Sequence, residues 1–66
     1  MKIPSNQEIT VTYIVNGQAR FIETRSFDHS TYTIYEIDNK NNYIKLKQGK
    51  DLLKVREILK GRCSFA

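Results

Sequence analysis

The stretch TVTYIVNGQARFIET, Thr10–Thr24, sets the frame in which this chain is read. Apolar and polar residues alternate on both sides of Asn16-Gly17. That pattern is the strongest local signal for a two-residue β-hairpin, because both turn positions tolerate the positive φ of a type I′ turn. A two-residue loop sets a register. One face pairs Val15 with Gln18, Tyr13 with Arg20, Val11 with Ile22 and Ile9 with Thr24. The other pairs Ile14 with Ala19, Thr12 with Phe21, Thr10 with Glu23 and Glu8 with Arg25, the last a favourable pair of opposite charge. Large apolar side chains then stand on both faces of the ribbon.

Beyond this ribbon, SFDHST (26–31) reads as a turn in which Asp28 or Ser30 bonds back to nearby amides. TYTIYEIDNKNNYIKLKQ (31–48) reads as a second hairpin, rich in β-branched and aromatic residues on either side of a turn cluster. A loop centred on Lys40-Asn41 pairs Ile37 with Ile44, Tyr35 with Leu46 and Glu36 with Lys45. A register slipped by one residue would set Glu36 against Ile44 on the buried face, so the first is expected. A helix over 27–37 is the rival reading of this segment.

GKDLLKVREILKG (49–61) predicts a helix of about three turns from Lys50 to Lys60. Its apolar stripe is Leu52, Val55, Ile58 and Leu59. Asp51 suits the positive end of the helix dipole, and Lys60 and Arg62 the negative end. Gly61 is the expected left-handed residue past the last turn. In the tail RCSFA, Phe65 either frays or lies against the body.

The fold class is therefore α+β: a four-stranded antiparallel meander of two hairpins, with one C-terminal helix packed on one face. Residues 1–66 form a single small domain. The expected core face is Ile9, Val11, Tyr13, Val15, Ile22, Tyr35, Ile37, Ile44 and Leu46. A chain this short buries only about 60% of its unfolded surface, which leaves no room for a deep cavity beside a core. It works through its outside, or by pairing with another chain.

Charge is unevenly placed. The net charge is +4. Residues 1–39 carry three cations against five carboxylates, a balance of −2, and residues 40–66 carry eight against two, a balance of +6. Such asymmetry makes a local field that attracts polyanions. The single Cys63 allows no internal disulfide and no cysteine metal cluster. The amino terminus lacks a signal-peptide apolar run, and no segment has the ~20 apolar residues that span a bilayer. A cytoplasmic protein with no membrane association and no cofactor is expected.

The face opposite the helix is predicted to carry Ile14, Phe21, Tyr32, Ile34 and Tyr43 beside Arg25, Lys45 and Lys47. Aromatic rings beside cations on a sheet are the chemistry of a nucleic-acid platform, with rings stacking on bases and cations meeting phosphates. The expected set is Arg25, Lys45, Lys47, Lys50 and Lys54 for phosphates and Phe21, Tyr32 and Tyr43 for stacking. The alternative is a protein-binding regulator or inhibitor, of the kind a virus or mobile element encodes, or a homodimer stacked through the same face. Its anchors would be Ile14, Phe21, Tyr32 and Ile34.

Catalysis is not expected. Asp28-His29-Ser30 are adjacent, whereas triads are built from residues that converge in space. Cys63 has no base beside it, and the helix end near it is negative. One histidine and one cysteine make no closed zinc site, and Asp38–Asn42 lacks the spaced carboxylates of a calcium loop. The glycines, Gly17, Gly49 and Gly61, are isolated and build no phosphate-cradling loop.

Overall fold

In a computed structural model, which describes residues 3–61, Asn16 and Gly17 adopt φ of 52° and 79°. They join β1 (Gln7–Val15) to β2 (Gln18–Ser26) as the type I′ turn requires. Two further antiparallel strands follow, β3 (Tyr32–Ile37) and β4 (Tyr43–Gly49), and the sheet order is β1-β2-β3-β4. The meander is the predicted one, and the rival helix over 27–37 is replaced by a turn and β3. That turn is built on Asp28, whose Oδ1 accepts the Ser26 and Ser30 hydroxyls at 2.6 and 2.7 Å and the Ser30 amide at 3.1 Å.

The first hairpin keeps the predicted register only at its two ends. Val15 meets Gln18, Ile14 meets Ala19, Ile9 meets Thr24 and Glu8 meets Arg25. Between them Tyr13 meets Phe21, Thr12 meets Ile22 and Val11 meets Glu23, because Thr10 on β1 and Arg20 on β2 are each an extra residue. The two irregularities cancel outside this stretch and displace everything within it. Since side chains alternate with period two, a one-residue slip carries Phe21 to the face of Tyr13 and Ile22 to the face of Thr12.

The second hairpin takes the register the sequence disfavoured: Ile37 opposite Tyr43, Glu36 opposite Ile44 and Tyr35 opposite Lys45. Loop chemistry decides this. Asp38 Oδ1 accepts the amides of Lys40 and Asn42 at 2.8 Å, and the Asp38 amide donates to the Asn42 carbonyl at 3.0 Å. With Asn41 at φ 63°, these bonds close a five-residue connection. A bulge at Leu46 then lets Ile34 meet Lys47.

The helix begins where Asp51 caps it, its Oδ1 accepting the Leu53 amide at 3.1 Å. α1 covers Leu52–Arg56 and continues as a 3-10 segment, Glu57–Gly61, so the expected helix of about three turns is present and its second half winds more tightly. Gly61 lies inside that segment, and Gly17 is the one glycine with positive φ among the described residues. The roles expected of Arg62 and Phe65 fall outside the described residues.

Val55 and Leu59 of this element pack on Phe21 and Ile34, all four at most 4% exposed, with Tyr13, Val15, Tyr32, Leu46 and Ile58 around them. The helix therefore covers the face that was expected to point outward on β2 and β3. Ile22 and Tyr35, expected beneath it, are buried on the opposite side, where Gln7 Oε1 accepts the Thr24 hydroxyl at 2.8 Å and the Tyr35 hydroxyl at 3.0 Å. Ile9 and Ile44, also expected in the core, are 49% and 45% exposed.

This assignment predicts an asymmetric mutational response. Ile34→Ala removes a fully buried side chain and costs about 2–5 kcal/mol, and Ile34→Val about 1 kcal/mol. Ile14→Ala, at a position 56% exposed, costs less than about 1 kcal/mol. Urea unfolding followed by circular dichroism checks the ranking, and equal costs for Ile14→Ala and Ile34→Ala would contradict the face assignment.

Candidate polyanion-binding surface

The predicted platform does not assemble as one face. Phe21 is 3% exposed and Ile34 is fully enclosed, so neither reaches a base or a partner protein. Tyr32 is half-buried against the helix core. Arg25 donates from Nη2 to Glu8 Oε1 at 2.7 Å and is already committed. Of the protein-interface anchors, Ile14 alone is largely exposed. Phe21, Tyr32 and Ile34 are lost to the exchange of faces in β2 and β3, and Arg25 to its ion pair with Glu8.

What remains is a set of lysines around the free edge of β4. Lys45 projects on the face opposite the helix, beside half-buried Tyr43. Lys47 lies across the Leu46 bulge toward the helix side, Lys50 follows the strand, and Lys54 stands on the exposed side of α1. Lys40 and Lys60 are exposed as well. Among the described residues none of these six takes part in an ion pair, whereas Arg20, Arg25 and Arg56 each face a glutamate.

The carboxylates explain that division. Glu8 is bound by Arg25, Glu23 by Arg56, and Glu36 lies 4.0 Å from Arg20. Asp28, Asp38 and Asp51 accept bonds within turns and a helix cap. The Ser26 hydroxyl, then the Ser30 hydroxyl and amide, hold Asp28 down to about 2, and the Asn42 amide chiefly holds Asp38 below its usual value. Six of the seven described carboxylates are thus occupied by arginine or local donors, and Glu57 is exposed. Unopposed surface charge is almost wholly lysine.

Glu23, which the sequence pairs with Thr10 on the face away from the expected core, is 2% exposed. Its Oε1 accepts from Arg56 Nε at 2.7 Å and from the Tyr13 hydroxyl at 3.1 Å. Its Oε2 accepts from Arg56 Nη2 at 3.2 Å and from the Thr10 hydroxyl at 3.1 Å. Burial alone would push this carboxyl up, but the Arg56 guanidinium outweighs it and holds the group below its usual value. Burial, and next the Glu23 charge, raises the Tyr13 phenol. Nothing local in the sequence marks this site, because its members come from β1, β2 and α1.

The remaining candidates have structural roles. Asp28, His29 and Ser30 form a turn with His29 at φ 63°, and the Asp28 carboxylate is bonded to serines. Among the described residues no three of His, Cys, Asp or Glu gather as metal ligands, and no helix is long and apolar enough to cross a membrane. Cys63 lies outside the described residues. An open depression of about 440 Å³ lies between the two hairpin ends, lined by Gln18, Arg20, Asn39, Asn41 and Tyr43 among others. Comparison with protein-family models, curated proteins and solved structures finds no match.

The buried network makes a pH prediction. Glu23 has a folded pKa below its ordinary 4.5, so it contributes stability above that pH and loses it as pH falls through the folded value. Arg56→Met leaves the carboxyl buried without its cation, so burial governs and the folded pKa rises. The dependence then reverses sign: stability of this variant falls as pH climbs from about 4.5 toward neutrality. At pH 7 the loss is about 3 kcal/mol, at the lower end for a broken buried pair because Arg56 is partly exposed. Urea unfolding at several pH values checks this, and parallel curves for the two proteins would contradict it.

Proposed function

We propose that this protein is a non-enzymatic nucleic-acid-binding module whose lysines contact the phosphate backbone. The observation that carries the reading is the unopposed cation set Lys45, Lys47, Lys50 and Lys54 around one sheet edge, in a chain whose carboxylates are nearly all engaged. β4 is an end strand, so its outer backbone groups are unpaired within the sheet, and outward amides there can donate to phosphate oxygens alongside the lysines.

Of the three expected stacking rings Tyr43, on the same strand as Lys45, is the one left for base contact, and Phe21 and Tyr32 serve the core instead. With one stacking ring and no base-reading motif, affinity is dominated by phosphate neutralisation and shows little sequence preference.

The same lysines also discourage edge-to-edge aggregation, as charged residues on end strands do. Binding to labelled oligonucleotides across a range of salt separates the two roles. Removing one lysine–phosphate interaction lowers the slope of log K against log salt by roughly 1, so Lys45→Ala with Lys47→Ala reduces it by roughly 2. Unchanged affinity and slope would make the lysines edge guards and refute the proposal.

A further inference from the structure

Among the described residues no strand pairs with the outer edge of β1 or of β4, and the two edges are chemically unlike. β4 is flanked by Lys45 and Lys47, whereas β1 carries no lysine, arginine or proline, and its one carboxylate, Glu8, is bound to Arg25. The extra residue at Thr10 interrupts the first half of β1. Beyond it Val11–Val15 contain no extra residue of their own, since the second shift, between Tyr13 and Ile14, comes from Arg20 on β2. They alternate between the helix side (Val11, Tyr13, Val15) and the open side (Thr12, Ile14), with Ile14 56% exposed.

We infer that β1 is a pairing edge for a second copy of this chain, the two β1 strands running antiparallel about a two-fold axis at Tyr13. In that register Val11 of one copy meets Val15 of the other, Thr12 meets Ile14 and Tyr13 meets Tyr13. Valine faces valine, tyrosine faces tyrosine, Thr12 faces Ile14 as one β-branched residue against another, and no charges are opposed. The pairing satisfies the outward backbone groups of this segment and covers Ile14 on one face, as strand addition does at any unguarded edge. The Thr10 bulge limits the pairing to these five residues and keeps Glu8 out of it.

Electrostatics favour a second copy at this edge despite the net charge of +4. β4 lies three strands from β1, about 14 Å away, beyond the ~8 Å screening length at physiological salt. Joining through β1 puts the two basic rims at opposite ends of an eight-stranded sheet, roughly 34 Å apart. Joining through β4 would set Lys45 and Lys47 of both copies together. The inference does not depend on nucleic-acid binding.

Sedimentation equilibrium of the full chain from about 10 μM to 1 mM tests it. The expected mass is twice 7.7 kDa at the upper end of that range. Thr12→Lys with Ile14→Lys is expected to weaken association about 100-fold with an unchanged far-ultraviolet spectrum, and Lys45→Glu with Lys47→Glu to leave it intact. A monomer throughout, or a dimer that withstands the β1 double substitution, would overturn the inference. Should the β1 variant not fold, hydrogen exchange on the wild type decides. Outward amides of Val11–Val15 that gain protection with concentration support it, and protection independent of concentration refutes it.

Discussion

One buried ion pair, Glu23 with Arg56, governs how this protein is put together. The two residues are 33 positions apart, and their bidentate contact fastens the only helical element among the described residues to the middle of the sheet. Enclosing a carboxylate is costly unless its oxygens are satisfied, and here Arg56, Tyr13 and Thr10 satisfy both. Such a pair adds little net stability over an apolar contact of the same shape. It ties the helix to the face that carries Glu23, the one buried acid among the described residues.

The pairing of arginine with glutamate also shapes the outer surface. The arginines with described positions are engaged by glutamates, which suits a planar fork that binds a carboxylate through two donors. The lysines, compact charges on flexible stems, are left in solvent. A chain with a modest net charge therefore presents an edge where positive charge is locally unopposed. The +6 balance of residues 40–66 is felt most along β4 and the first turn of α1. The opposite end of the sheet is nearly uncharged on its free edge. One small sheet thus has a basic end and a neutral end, set by strand order.

Much of this was legible in the chain. Asn16-Gly17 announced the first hairpin, β-branched residues marked β3 and β4, and Asp51 with the stripe through Val55 and Leu59 marked the helix. The charge division needed only counting. The identity of the buried face was not legible, because period-two alternation turns a single-residue irregularity into a change of side. Thr10 and Arg20 supply two that cancel beyond their interval, so correct pairings at Glu8–Arg25 and Val15–Gln18 coexist with exchanged faces at Phe21 and Ile22. Asp38 adds another by shaping its loop through backbone bonds rather than by pairing Glu36 with Lys45. The aromatic part of the expected platform fell with the faces. Lys45 and Lys47 are exposed all the same, one on each face of the end strand β4.

Amide chemical-shift mapping during titration with a single-stranded oligonucleotide at low salt probes the basic edge residue by residue. A phosphate-binding edge predicts perturbations concentrated along Tyr43–Gly49 and the first turn of α1, fading as salt rises, with Phe21 and Ile34 little affected. Perturbations centred on Ile9 and Ile14, or none at low salt, would contradict it.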